Sequence, residues 1–265
     1  GPADQLSDLG IKAVFDQPQV GANLQDHLDL YCIAELSGPY SYDRYAKPHW
    51  AALAGLQYLL QRKGPVASSL FETGGFWYAD KSARSPDIQL HLGLGTGIEH
   101  GVVSMPQGGI TLNSCYLRPR SRGTIRLQSG DPSKAPLIDP NYLADPLDRE
   151  MSTRGLKLTR EILSQPALKP FILAERLPGP EVKSDEDYFN FICQHSKTSH
   201  HCAGTCRMGS DEGAVVDPQL RFNGIAGLRI VDNSIMPTVI SSNTNAAAIM
   251  IGEKAADMIK ASHGA

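Results

Sequence analysis

Two stretches hold the groups able to do chemistry near neutral pH. The first is His200-His201-Cys202-Ala203-Gly204-Thr205-Cys206-Arg207-Met208-Gly209, with imidazoles beside a Gly-Thr turn. The second, residues 231–251, begins Val-Asp-Asn-Ser-Ile-Met-Pro and reads as a strand end, a polar loop and an Ala-rich helix. Together they predict one site built on two loops, with a base on one and a second polar group on the other. An imidazole such as His201 can accept a proton in this range if its surroundings tune it. Asn243 donates and accepts hydrogen bonds without titrating. A helix starting just after Asn243 points amide N–H groups at its own N-terminus, which favours an anion or a reduced, negatively charged cofactor ring. The residues alone favour a structural histidine at His201 over a general base.

Other chemistries fit poorly. No Gly-x-Ser-x-Gly elbow supports a serine hydrolase. His195, His200, His201, Cys202 and Cys206 lie close together, but Cys-x3-Cys is not the usual zinc spacing and no second ligand pair occurs elsewhere, so no metal site is expected. Neither a Gly-x-Gly-x-x-Gly after a strand nor a Walker loop is present, and Gly93-Leu94-Gly95-Thr96-Gly97 lacks a following helix. A dinucleotide would need its main binding unit from outside this chain. The formal charge of −3 argues against nucleic acid. Five cysteines, odd in number and irregularly spaced, fit a reduced compartment. No apolar run reaches the roughly 18 residues of a membrane span. Nothing at the start reads as a signal peptide. With no initiator Met, the chain is expected to be processed or part of something larger. The 265 residues suffice for one large domain or two small ones.

The elements that must position these groups follow from pattern and punctuation. Ala3–Leu9 reads as a short helix closed by Gly10, Ile11–Phe15 as a short strand, and residues 18–27 as a polar loop. On that reading His27 is a surface or core histidine without a chemical role. A helix is expected from about His49 to Gln61, ended by Gly64-Pro65. Tyr40, Tyr42, Tyr45 and Trp50 read as a cap over a core or as the lining of a substrate path. Residues 76–78, 88–94, 110–117 and 123–127 read as strands of an antiparallel or mixed sheet. Glu72, beside Thr73-Gly74-Gly75, reads as a solvated loop carboxylate or a ligand contact. Residues 129–147 are rich in turns. Helices are expected over 148–163 and 185–196, the second capped by Ser184 and buried through Phe189, Ile192 and Cys193. Leu228–Asp232 is the clearest strand pattern. Thr244 or Ser242 caps a last helix over 245–260, with Gly252 expected to allow close packing.

Several motifs resemble one family in order along nearly the whole chain. They are Gly-Pro-Ala-Asp-Gln-Leu at the start, Val20-Gly21-Ala22-Asn23-Leu24-Gln25-Asp26-His27, Tyr116 through Gly123, and His201 through Gly209. Val216-Asp217-Pro218, Gly227 through Pro237, and Ser241-Ser242-Asn243-Thr244-Asn245 before the Ala-rich helix complete the set. The chain resembles the C-terminal half of a glucose-methanol-choline (GMC) oxidoreductase, in the style of bacterial choline and alcohol dehydrogenases. The resemblance implies an α+β substrate domain with a large, mostly antiparallel sheet, plus the C-terminal strand and helix elements of an α/β, Rossmann-like FAD-binding domain. It implies a segment over 1–30 near the flavin that links the two domains, a substrate-binding domain over 31–197, and an active-site loop with the end of the FAD domain over 198–265. The N-terminal nucleotide-binding half would be a partner outside this chain.

Carried over by position, His201 and Asn243 are the implied catalytic residues. Asn23, His27, Asp232, Asn233, Thr244 and Asn245 are the implied FAD-binding positions, with FAD expected only in the complete enzyme and none on this chain alone. Glu72, Tyr40 and Trp77 are candidates to meet the substrate. The implied reaction is oxidation of a small-molecule alcohol by hydride transfer to flavin. The rival expectation is a catalytically inert fragment serving as a structural or binding module. A cytoplasmic protein is expected, attached peripherally to a membrane if it works as a dehydrogenase. One departure from the frequent family pattern is His201-Cys202-Ala203 in place of His-Pro-x.

Overall fold

Leu28–Leu36 runs Leu-Asp-Leu-Tyr-Cys-Ile-Ala-Glu-Leu, and a period of two places Leu28, Leu30, Cys32, Ala34 and Leu36 on one face. These residues form β1 (Leu28–Leu36), all nine of them buried. The computed structural model describes residues 1–96, 105 and 108–262; Gly97 of the glycine-rich run lies outside them. The chain clusters into two compact units, one of Gly1–His27, Leu117–Asp148 and Thr198–Ala265, the other of Leu28–Tyr116 and Arg149–Lys197. Residues 117–148, expected within the substrate domain, cluster with the first unit.

The second unit is an α+β fold. Along the path β2-β3-β4-β1-β7 its sheet is antiparallel, with β2 (Thr73–Trp77), β3 (Ile88–Gly93), β4 (Gly109–Tyr116) and β7 (Ile172–Leu177), and Lys197–Thr198 also pairs with β1. β2 to β4 lie where the sequence predicts strands. β1 and β7 were not expected. The second face of β1 carries buried polar groups that take part in hydrogen bonds. Asp29 accepts from Asn113 Nδ2 at 3.1 Å and from Tyr31 Oη at 3.4 Å, and Glu35 accepts from Arg176 Nε at 2.9 Å. α3 (Pro146–Leu163) approaches the sheet at Gly155, where a Cβ would lie 3.2 Å from Ile88 Cδ1 and 3.4 Å from Ser114 Oγ. That closeness offsets the roughly 1 kcal/mol a helical glycine costs.

α2 (Pro48–Gln61) follows its prediction. α4 (Asp185–His195) carries the expected Ser184 cap as a full capping box with Asp187. Its buried stripe is Tyr188, Phe191 and Ile192, whereas Cys193 is exposed. The helix is therefore rotated relative to the predicted face, with the aromatics taking the core.

The first unit contains α1 (Ala3–Asp8), the short antiparallel pair β5 (Thr124–Arg126) and β6 (Leu137–Asp139), and the final helix α5 (Asn245–Ser262). Residues 123–127 therefore pair with β6, not with the main sheet. Ile11–Phe15 forms no strand. Leu228–Asp232 forms only an isolated bridge, Arg229 to Arg221. The core joins Val215, Val216, Leu220, Phe222, Ile235, Met236 and Val239 to Ile251 and Ala255 of α5. This cluster anchors the loops on either side of it. Gly252 does not pack closely: it is exposed, and a Cβ there would meet nothing within 4 Å. All five cysteines are free thiols, and among the described residues no helix is long and apolar enough to cross a membrane.

Candidate active site

His201 sits on the loop after Thr198, in the first unit, and is 7% exposed. Its Nε2 lies 3.1 Å from Asn243 Nδ2, so the structure brings together the two groups the sequence predicts. Its Nδ1 lies 2.9 Å from Nδ1 of His27, which is fully buried and edge-on at 5.1 Å between ring centres. His27 Nε2 in turn is 3.2 Å from the Leu117 carbonyl.

For neutral rings this chain of contacts implies one tautomer at each. A carbonyl only accepts, so His27 Nε2 carries the hydrogen. With both rings neutral, His27 Nδ1 is then bare and accepts from His201 Nδ1–H. The lone pair of His201 is left on Nε2, the nitrogen beside Asn243. His27 is thus a core histidine with a partner that matters, where the sequence pattern offers it no chemical role.

Both loops are held by the segment Asn23–His27. Gln25 forms an antiparallel bridge with Ala203. Its side chain, 1% exposed, donates to the Pro237 carbonyl at 3.2 Å and accepts from the Val239 amide at 3.1 Å. Asn23 donates to the Gly204 carbonyl at 3.0 Å and accepts from Arg122 Nε at 3.0 Å. The buried Asp26 carboxylate accepts the His201 amide at 2.8 Å and the Tyr142 hydroxyl at 2.5 Å, and also bonds Thr198 Oγ1. Sequence reasoning assigned no role to Asp26, Gln25, Thr198, Tyr142 or Arg122. Asp26 was in view within the Gln25-Asp26-His27 motif, whereas Tyr142 stands in a turn-rich stretch with no signal at all.

The other candidate positions fall in two places. Asp232 caps the turn that follows it, accepting from the Ser234 amide at 2.7 Å. The Asn233 carbonyl accepts from the Gly204 amide at 3.3 Å, and its Oδ1 is buried without a partner among the described residues. Thr244 is buried and its carbonyl accepts from the Ala248 amide at 2.9 Å, while Asn245 is exposed at the start of α5.

Glu72, Tyr40 and Trp77 belong to the second unit. Glu72 accepts from Tyr42 Oη at 2.5 Å and from Ser68 Oγ at 2.6 Å. The Ser68 and Tyr42 hydroxyls hold its carboxyl below the usual range. Tyr40 packs edge-on to Phe171 and Trp77 edge-on to Tyr78, so the three share no ring or hydrogen-bond partner in the described contacts. Among the described residues no group of three His, Cys, Asp or Glu side chains is placed to hold a metal ion.

Residues 119–252 match the profile of the GMC oxidoreductase family. The chain is 42% identical over 263 residues to an alcohol dehydrogenase [acceptor] of Pseudomonas putida, covering 98% of this chain and 47% of the relative. It is 42% identical over 262 residues to the mitochondrial choline dehydrogenase of Homo sapiens, covering 98% and 44%. Formate oxidase of Aspergillus oryzae RIB40, an FAD-carrying protein, superposes with a TM-score of 0.92 at 26% identity, covering all of this chain and 51% of that one. The chain spans about half the length of the curated relatives it matches. The fold, the profile and these relatives agree: the chain belongs to the GMC oxidoreductase family.

Proposed function

We propose that this chain supplies the base and the substrate domain of an FAD-dependent enzyme that oxidises an alcohol to an aldehyde or ketone, completed by the N-terminal FAD-binding half of the same protein. The observation that carries the proposal is the placement of His201 between His27, 2.9 Å from its Nδ1, and Asn243, 3.1 Å from its Nε2. His201 takes the hydroxyl proton on Nε2 as the alcohol is oxidised. Asn243 holds the alcohol oxygen beside that nitrogen through its amide. FAD, when bound, supplies the acceptor for the hydride leaving the alcohol carbon.

The residues fit such a cofactor. Asn233 Oδ1 is a buried acceptor without a partner among the described residues, suited to a ring N–H. Asn245 and the open first turn of α5 offer donors to a ring that gains negative charge on reduction. Asn23 and His27 serve the flavin indirectly on this reading, because their side chains bond to Gly204, Arg122, His201 and Leu117.

The test of the reading is anaerobic mixing of the full-length flavoprotein with primary, secondary and aromatic alcohols, followed by flavin absorbance. Reduction by at least one alcohol, with the aldehyde or ketone recovered in equal amount, is the expected result. A flavin that no alcohol reduces overturns it.

Two further outcomes are expected. This polypeptide by itself retains no FAD after desalting, since it lacks a phosphate-cradling glycine loop; stoichiometric flavin on the isolated chain contradicts that. His27→Phe preserves the ring volume but removes the acceptor for His201 Nδ1–H. The imidazole is then free to place its hydrogen on Nε2, and flavin reduction slows by about tenfold or more, within the range general base catalysis contributes. A parent rate in a His27→Phe protein with full flavin content refutes the tautomer assignment.

A further inference from the structure

We infer that Asp26, with Tyr142 and Thr198, is a positioning unit that fixes the backbone of the catalytic loop and so sets where His201 Nε2 stands. The inference rests on the function proposed above for His201. Three observations carry it.

The carboxylate is 3% exposed, yet both of its oxygens are occupied. Oδ1 accepts the His201 amide at 2.8 Å; Oδ2 accepts the Tyr142 hydroxyl at 2.5 Å and the Thr198 hydroxyl. Bonds to a carboxylate are about twice as strong as neutral ones, so this attachment holds the loop firmly. Burial and the Asp26 carboxylate push the Tyr142 phenol well above its ordinary range, so it stays a donor throughout.

The second observation is strain. His200, the residue just before the base, has φ +60°, a left-handed conformation that few non-glycine residues adopt, histidine more readily than most. Such a residue persists where its surroundings over-determine it. Here they do so from both sides. Thr198 Oγ1 accepts the His200 amide at 2.8 Å while donating to Asp26, and Asp26 takes the next amide in the chain, that of His201. The Ser199 amide closes the set on the His27 carbonyl at 2.9 Å.

The third is economy of placement. Asp26 and His27 are consecutive, one holding the backbone of His201 and the other its ring. A shift of the loop relative to this pair therefore breaks both attachments together.

Substitutions in the full-length flavoprotein separate positioning from mere support. Asp26→Asn keeps the size and one acceptor oxygen but turns an NH2 toward one or two of the three donors. Tyr142→Phe and Thr198→Val each remove one hydroxyl, and Thr198→Ser restores it. Three quantities are read: flavin content, the limiting rate of anaerobic flavin reduction against the alcohol Kd, and hydrogen exchange of the peptide covering 198–203. Asp26→Asn is expected to lower the limiting rate by up to about 10²-fold, the effect of a 1 Å misplacement, with the Kd unchanged and exchange faster. Tyr142→Phe and Thr198→Val should show smaller changes of the same kind, and Thr198→Ser should behave as the parent.

Faster exchange with the parent rate would make the unit structural only, and unchanged exchange would remove it altogether. A rate loss mirrored by an equal rise in Kd would assign these residues to substrate binding instead. If Asp26→Asn fails to hold flavin, Tyr142→Phe and Thr198→Val decide by the same criteria. If no alcohol reduces the parent flavin, the proposed function fails, and the exchange results alone uphold or overturn the loop attachment.

Discussion

Replacing His201 with alanine is expected to slow anaerobic flavin reduction by about 10²–10⁴-fold, the usual contribution of a general base. The protein should still fold and load flavin, because His201 lies on a loop whose amide is held by Asp26 whatever the side chain. Its ring, by contrast, is the group that carries a lone pair beside Asn243. Asn243→Ala is the matching control. It removes a neutral hydrogen-bonding group and leaves the base in place, so reduction should slow less and keep the pH dependence that His201 sets. Stopped-flow absorbance over a range of pH measures both. A His201→Ala protein that reduces at the parent rate with the parent pH profile makes the histidine structural. An Asn243→Ala protein that loses the pH dependence exchanges the two roles.

A large effect on stability is expected at Gly204. Its φ is +92°, and a Cβ there would lie 2.6 Å from the Asn23 carbonyl oxygen, 2.7 Å from Gln25 Nε2 and 2.8 Å from Asn23 Nδ2. The first of these is backbone and cannot swing aside. Two penalties therefore add in Gly204→Ala. A left-handed backbone costs a non-glycine residue about 1–2 kcal/mol, and overpacking adds about 1–3 kcal/mol. The displaced Asn23 and Gln25 are also the side chains that hold Gly204 and Pro237, so activity should fall with the melting temperature. Gly227→Ala isolates the first penalty, since its φ is +80° but a Cβ there meets nothing within 4 Å. Thermal unfolding of the two variants in the full-length protein should show Gly204→Ala losing clearly more. Equal losses would mean the crowding at Gly204 is relieved at no cost.

His201 and Asn243 were singled out through the family resemblance, the residues alone leaving the histidine open, and the structure places them 3.1 Å apart. The helices α2, α4 and α5 were legible through Pro, Ser and Thr punctuation and apolar spacing. β1 was overlooked although Leu28, Leu30, Cys32, Ala34 and Leu36 alternate cleanly. The intervening Asp29 and Glu35 suggest solvent, and only the structure shows them satisfied by Asn113 and Arg176. β7 carries Glu175 and Arg176 and borrows its identity from pairing with β1.

Leu228–Asp232 errs in the opposite direction. Its composition suits a strand, but pairing takes two partners, and among the described residues Arg221 alone supplies a bridge. The part played by Asp26 was illegible because nothing near residue 26 in sequence reveals that residues 142, 198 and 201 surround it. The contact of His27 with His201 was unforeseen for the same reason, since the two stand 174 positions apart.

That distance along the chain also has a temporal meaning. The attachments of Asn23–His27 to the two loops join residues 172 to 214 positions apart, as in Thr198 to Asp26 and Pro237 to Asn23. Closing loops of that length precedes any reward from the contacts themselves, which slows assembly of contacts so far apart. On a ribosome adding about 5–20 residues per second, the segment Asn23–His27 waits on the order of ten seconds or more for the loops to emerge. The fully buried imidazole of His27 and the carboxylate of Asp26 are exposed to solvent for that interval. Catalytic competence is thus expected to arrive last in biogenesis, after the antiparallel sheet of the second unit, whose neighbouring strands are closer in sequence, has already formed.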